Sequence, residues 1–332
     1  MDVNRLIDIL YKNDLKRLSL QEVKPGLFDI NAKSQFSNAN LVGNDYYCLS
    51  RNSQKILCCF GQSWTKGVGL EPNQHTDVFG AVVSKELNWD WVNAGGSGLS
   101  NSWILNNFEQ SIDWLNSSNY ESGVIMLTFT ENARELHDFG SRQFDYISAY
   151  KDVPVDDKFY DRVLDDIEEE WISRLDNFQQ KLDPRFKIIV GFDCVWHDRL
   201  SAYCNTHSKI SYIKNRWIDL LADSIPKQPA PMSRLAILTN LKDINSIVGI
   251  RDETFFKHWF LKQSADSLMI IDWMRRTPEF FDPHDLGHPN AKGHQIWADI
   301  LLEKIAHFVL QGSESVNTGS SRPHLRNVKL RS

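Results

Sequence analysis

Two short stretches of this sequence hold residue types suited to acyl chemistry, and they lie more than two hundred residues apart. The first is Gly61-Gln62-Ser63-Trp64-Thr65. It follows the apolar run Ile56–Phe60, which reads as a buried strand. Glycine permits a sharp turn at that point. Ser63 is then presented at the carboxyl edge of a sheet, where open α/β folds bind ligands. Backbone N–H groups beyond the strand can hold an oxyanion. The same residues also make an ordinary structural turn. The elbow of α/β-hydrolases has glycine two residues after the serine, and here Thr65 stands in that place.

The second stretch runs from Phe281 to Asn290 and contains Asp285 and His288. A serine hydroxyl needs a base, and the base needs an orienting carboxylate. Asp285 and His288 stand three residues apart in a turn stiffened by Pro283 and Pro289, a spacing that lets the carboxylate reach one imidazole nitrogen while the other faces a serine. The alternative is a helix cap, with Asp285 or His288 starting the last helix. Asp282 and His284 form a second pair, but Pro289 and the final helix anchor only His288. Two loops lie between the stretches. Asn93-Ala94-Gly95-Gly96-Ser97-Gly98 can bring N–H groups close to a ligand, and Thr128-Phe129-Thr130-Glu131-Asn132 ends a strand with an amide side chain.

In this order the four segments resemble the blocks of the SGNH (GDSL-like) hydrolases. Gly61-Gln62-Ser63 stands for Gly-Asp-Ser, Gly98 for the glycine of the second block, Asn132 for the asparagine of the third, and Asp285-x-x-His288 for the last. The departures are Gln62 for Asp, and Thr130 and Ala133 flanking Asn132. The resemblance covers residues 55–310 and marks a divergent member. It implies a three-layer α/β/α, flavodoxin-like fold around a mostly parallel sheet. It implies Ser63 as nucleophile, His288 as base and Asp285 as its orienting partner. The N–H groups of Ser63 and Gly98 and the Asn132 side chain would form the oxyanion hole, and the acid that Gln62 replaces usually supports the loop. Gln62 and Trp64 are further read as substrate-binding candidates. No metal or cofactor is implied. The activity expected is ester hydrolysis, with carbohydrate O-acetyl groups as the substrate class. An acyltransferase and a binding or structural protein on the same scaffold are the other readings.

The elements that must position these residues follow from hydrophobic period. Strands are expected at Ile56–Phe60, Trp89–Val92, Val124–Phe129, Lys187–Phe192, Leu235–Leu238 and Leu268–Ile271. Helices are expected over residues 3–18, 75–87, 102–115, 157–182, 208–222, 253–263 and from Pro289 to about Leu310. Repeated strand–loop–helix order indicates a parallel sheet covered on both faces. Residues 1–54 read as an N-terminal helix and extension, 55–311 as the α/β domain, 131–182 as an insertion within it, and 312–332 as a flexible basic tail. The acidic run Asp165–Glu170 reads as a solvated helix face.

The chain has 332 residues and a net charge of -6, with 42% hydrophobic and 24% charged residues. These are globular proportions, and mild acidity gives no reason to expect nucleic-acid binding. No membrane span or signal peptide is expected, which points to a cytoplasmic protein or one released or assembled from the cytoplasm. Five cysteines do not make a disulfide framework. Cys194-x-x-His197 and Cys204-x-x-His207 have the residue types of a zinc site, but short-spaced matches of this kind arise by accident. The 11 tryptophans serve core packing first, with sugar stacking as the sharper alternative for Trp64, Trp103, Trp196 and Trp273.

Overall fold

A computed structural model describes Leu6, Ile9, Leu10, Lys12, Leu70, Phe280 and residues 47–68, 75–96, 99–130, 159–193, 197–207, 209–223 and 288–314. Among the described residues six strands form one sheet in the order β1-β3-β2-β4-β5-β6. They are β1 (Tyr47–Leu49), β2 (Lys55–Gly61), β3 (Asp90–Gly95), β4 (Ser122–Phe129), β5 (Phe186–Phe192) and β6 (Ile210–Tyr212). Only β1 runs antiparallel to its neighbour; the other pairings are parallel. From β2 the chain moves outward to β3 and then crosses to β4 on the other side. The strand order therefore reverses at β2, which is the switch point where such folds place their ligands.

Parallel strands have both faces covered, so their sequences are apolar at successive positions rather than alternating. Ile56, Cys58 and Phe60 of β2 enter one core with Ile125, Leu127 and Phe129 of β4. Leu57 and Cys59 enter the other with Val124 and Met126. The first core is closed by α3 (Asn101–Ser117), α4 (Phe159–Lys181) and α5 (Asp198–Thr206). The second is closed by α2 (Phe79–Leu87), α6 (Trp217–Asp223) and α7 (Ala291–Glu314). The fold is thus a three-layer α/β/α sandwich.

Local signals set the helix starts. Ser100 caps α3 by accepting from Trp103 N–H at 3.4 Å, and Trp103, Ile104, Phe108, Ile112 and Leu115 then fall on its buried side. Asn290 caps α7, its Oδ1 accepting from the N–H groups of Lys292 and Gly293 at 3.0 and 3.2 Å. Pro289 precedes this cap instead of occupying the first helical position.

Several expectations need correction. Residues 208–222 do not form one helix: Ile210–Tyr212 is strand β6, with Ile188 of β5 opposite Ile210, and the helix begins at Trp217. A three-residue strand is too short to show a period. The second half of the expected insertion is the crossover helix between β4 and β5. Trp171, Leu175 and Phe178 of α4 are buried in the first core. Within the acidic run Asp165, Asp166 and Glu169 are exposed, but Glu168 is buried. The extension before residue 55 joins the domain through β1 and through Leu6 and Leu10, both fully buried. The strands expected at 235–238 and 268–271, the helix at 253–263 and the tail after 314 lie outside the described residues.

Candidate active site

The first residue after each of three adjacent strands is a buried polar one: Gln62 after β2, Thr130 after β4 and Asp193 after β5. Phe60 pairs with Leu127 and Phe129 with Phe192, so the three stand nearly level at the carboxyl edge.

At Gly61 the strand folds over its own continuation. A Cβ there would collide with the Thr65 side chain and come within 3.2 Å of Thr128 Cβ. The chain then makes a single helical turn, α1 (Ser63–Lys66), ended by Gly67 at φ +87°. The last strand residue of β3 presses against that turn. A Cβ on Gly95 would stand 2.5 Å from Lys66 N, so only glycine fits. Asn93 Nδ2 donates to the carbonyls of Thr65 and Lys66 at 3.0 and 3.3 Å, and Gly96 N–H donates to Gly61 O at 3.1 Å. Ser63 is therefore held from two strands, and it is only 4% exposed.

Gln62 governs the polar groups of Ser63. Its Oε1 accepts from Ser63 N–H at 2.5 Å and also from the Ser63 hydroxyl. Its Nε2 donates to Asp193 Oδ2 at 2.8 Å, two strands away. Asp193 is fully buried; its own N–H donates to Phe129 O and its carbonyl accepts from Ile218 N–H, each at 3.0 Å. Two sequence expectations change here. Gln62 is a buried support beneath Ser63 instead of a substrate contact. The Ser63 N–H, expected to serve an oxyanion, rests on Gln62 in this state.

Trp64 was expected to face substrate, but its ring is buried edge-on to Trp217, with centroids 5.3 Å apart. Trp103 is buried as well. Trp217 stacks on Trp297 at 5.2 Å and donates from Nε1 to Gly293 O at 3.0 Å. These indoles are core residues, which removes the stacking-platform argument for Trp64 and Trp103; Trp196 and Trp273 lie outside the described residues.

His288 precedes α7, and the start of α7 can be placed through His294. Helix α2 leaves the carboxyl edge at Phe79 and returns towards the start of β3. Phe79 N–H donates to His294 Nδ1 at 3.3 Å, and the two rings stack at 6.2 Å. The start of α7 thus lies at the edge from which Ser63 emerges. His288 there is half-buried. Burial, and secondly the neighbouring His288, pushes the His294 imidazole down to about 3. Since Nδ1 accepts, the single proton of neutral His294 sits on Nε2. Asp285, Gly98 and Asn132 lie outside the described residues, as do Asp282 and His284.

Sequence reasoning missed the clamp on the exit of β4. Asn101 accepts from Thr130 N–H at 2.8 Å and donates back to Thr130 O at 2.9 Å. His197 Nε2 donates to the same carbonyl at 2.8 Å. The His197 ring lies against Trp171 and Phe192, and its Nδ1 faces Glu168 Oε1 at 3.7 Å. A polar residue directly after a buried strand was the available signal for Asp193. His197 and Cys204, which the zinc reading required, bind Thr130 and fill the first core. Among the described residues no three His, Cys, Asp or Glu side chains are grouped to hold a metal, and no helix is long and apolar enough to cross a membrane.

No family model matches the chain, and no curated protein does. Solved structures similar to it include a lipolytic protein of the G-D-S-L family from Veillonella parvula DSM 2008. That match has 14% identity and a TM-score of 0.37, covering 75% of this chain and 97% of the other. A G-D-S-L family protein from Desulfitobacterium hafniense DCB-2 has 13% identity and a TM-score of 0.33, covering 55% and 88%. LAE5, an alpha/beta hydrolase enzyme from the metagenome of Lake Arreo, Spain, has 15% identity and a TM-score of 0.27, covering 75% and 93%.

Proposed function

We propose that this chain is a serine hydrolase of carboxylic esters, with Ser63 as nucleophile, His288 as base and Asp285 as the carboxylate that orients it. The observation that carries this reading is the seat of Ser63. It heads a rigid one-turn helix at the strand-order reversal, and the helix that follows His288 begins at the same sheet edge. In the reaction Ser63 Oγ attacks the ester carbonyl carbon while its proton passes to His288. The tetrahedral oxyanion collapses, and His288 gives that proton to the departing alcohol. Water then repeats the sequence on the acyl-enzyme and frees the acid. Gly98 N–H, the Asn132 side chain and Ser63 N–H hold the oxyanion, and Ser63 N–H must leave Gln62 to do so. No metal or cofactor enters these steps. The near-complete burial of Ser63 supports a short acyl group, with O-acetyl esters of carbohydrate as the substrates to try first.

A fluorophosphonate probe tests the reading. Labelling is expected at Ser63 and is lost in Ser63→Ala. Ester turnover in Ser63→Ala or His288→Ala is expected to fall by roughly 10,000-fold or more. Acetyl esters should be cleaved faster than octanoyl esters. Folded protein that takes no label would sink the esterase reading. It would favour a second one, a non-catalytic protein on this scaffold. That second reading has its own support in the Ser63 N–H and hydroxyl both resting on Gln62, as in a plain capped turn.

A further inference from the structure

We infer that Asp193 is a positioning residue for Ser63, acting through the side-chain amide of Gln62; this rests on Ser63 being the nucleophile. A glutamine amide has a donating and an accepting end of nearly the same shape, and rotation about its last bond exchanges them. Which end faces Ser63 decides what Ser63 can do. With the oxygen inward, Gln62 accepts from the Ser63 N–H and hydroxyl and holds the turn in its resting form, from which the hydroxyl turns to His288 and the N–H to the oxyanion as the reaction begins. With the nitrogen inward, a donor would oppose the Ser63 N–H. Asp193 selects between these states. A carboxylate only accepts, so it requires Nε2 at its own side, where the bond is 2.8 Å. The reversed amide would set Oε1 against Oδ2, two acceptors with no proton between them. The backbone that carries the carboxylate is fixed. It is tied to β4 through Phe129 O and to α6 through Ile218 N–H, and the residue is fully buried.

The arrangement also accounts for the departure from Gly-Asp-Ser. A carboxylate at position 62 would meet Asp193 head-on. Here the acid stands one residue further out and Gln62 transmits its preference. The pair holds one carboxylate and one amide, and the two should be exchangeable.

The test is a swap measured by fluorophosphonate labelling of Ser63 and by ester turnover. Asp193→Asn frees the amide to turn, so kcat and the labelling rate are expected to fall by roughly 100-fold with KM little changed. Gln62→Asp alone places two buried carboxylates together and is expected to fall at least as far. Gln62→Asp with Asp193→Asn restores one acid and one amide, and should recover kcat to within about tenfold of the native rate, well above either single variant. A merely structural role would instead move melting temperature and leave kcat per folded molecule unchanged. A second readout needs no turnover. The Gln62 side-chain NH2 resonances, donated to a carboxylate, should shift and lose exchange protection in Asp193→Asn. Native kcat in Asp193→Asn, no recovery in the double variant, or unmoved Gln62 NH2 resonances would each overturn the inference while leaving Ser63 labelling intact. Absent labelling of the native protein sinks the esterase reading instead, and the resonances still decide whether Asp193 orients Gln62.

Discussion

His294 shows how much one buried side chain couples the site to solution conditions. Its imidazole is held near 3 in the folded protein against an ordinary 6.5. The unfolded chain therefore binds a proton below about 6.5 that the folded protein refuses, so folding stability rises with pH through this window. The contribution is intact above pH 6.5 and is lost progressively as pH falls towards 3. The loss is expected to reach a few kcal/mol by about pH 4. His294→Phe keeps the stack on Phe79 but leaves the Phe79 N–H without its acceptor. It should cost about 1 kcal/mol at pH 7, and its melting temperature should vary less between pH 7 and 4. An equal slope in both proteins would contradict this account. Asn101 supports a second residue-scale prediction. Asn101→Ala removes the acceptor of the Thr130 N–H while Thr130 O keeps its bond from His197, and chemical denaturation should show a loss of about 1–3 kcal/mol. Ser63 and His288 could be picked out as candidates from the sequence, because a nucleophile and a base are proposed from residue type and local context. Asp193 and Asn101 could not, because their partners lie 131 and 29 residues away and meet only through sheet register.

Among the elements, the strands were legible wherever an apolar run exceeded four residues, as in β2, β4 and β5. β6 was not, since three residues fit a helix pattern as well as a strand. The crossover helix α4 was recognised as amphipathic, yet its apolar stripe gave no hint that it seals the first core. That stripe predicts a large effect. Trp171 is 1% exposed against Phe129 and His197, and Trp171→Ala should cost about 3–5 kcal/mol. Gly191 makes the opposite kind of prediction. A Cβ on this β5 residue would collide with Met126 and stand 2.8 Å from the Trp297 ring. Gly191→Ala should therefore destabilise by about 1–3 kcal/mol through forced repacking of α7 on the sheet.

For the whole molecule, the sheet is shared by both cores, so neither can open alone. Cys58 and Cys59 report on this because adjacent strand residues face opposite layers. Burial raises both thiols, Cys59 to about 12, so neither offers a thiolate in the folded state. Cys48 is exposed. Alkylation mapped by mass spectrometry should modify Cys48 at once in native buffer. Cys58 and Cys59 should follow together, at one denaturant midpoint; two midpoints would mean that the layers unfold separately. The layered architecture itself was legible from repeated strand and helix order. Strand order was not, because it depends on which way each crossover turns.

The indoles beneath Ser63 have a further consequence, which is optical. Trp217 and Trp297 lie nearly parallel at 9° and 5.2 Å, and Trp64, next to Ser63 in the chain, meets Trp217 edge-on. Rings this close share their excited states, so their circular dichroism is a property of the pair and is sensitive to small rotations. Any event at Ser63 that tilts Trp64, or at His288 that shifts the first turn of α7, would be written into that spectrum. The protein carries its own chromophore beside Ser63, so the proposed acylation would be followed without a coloured substrate.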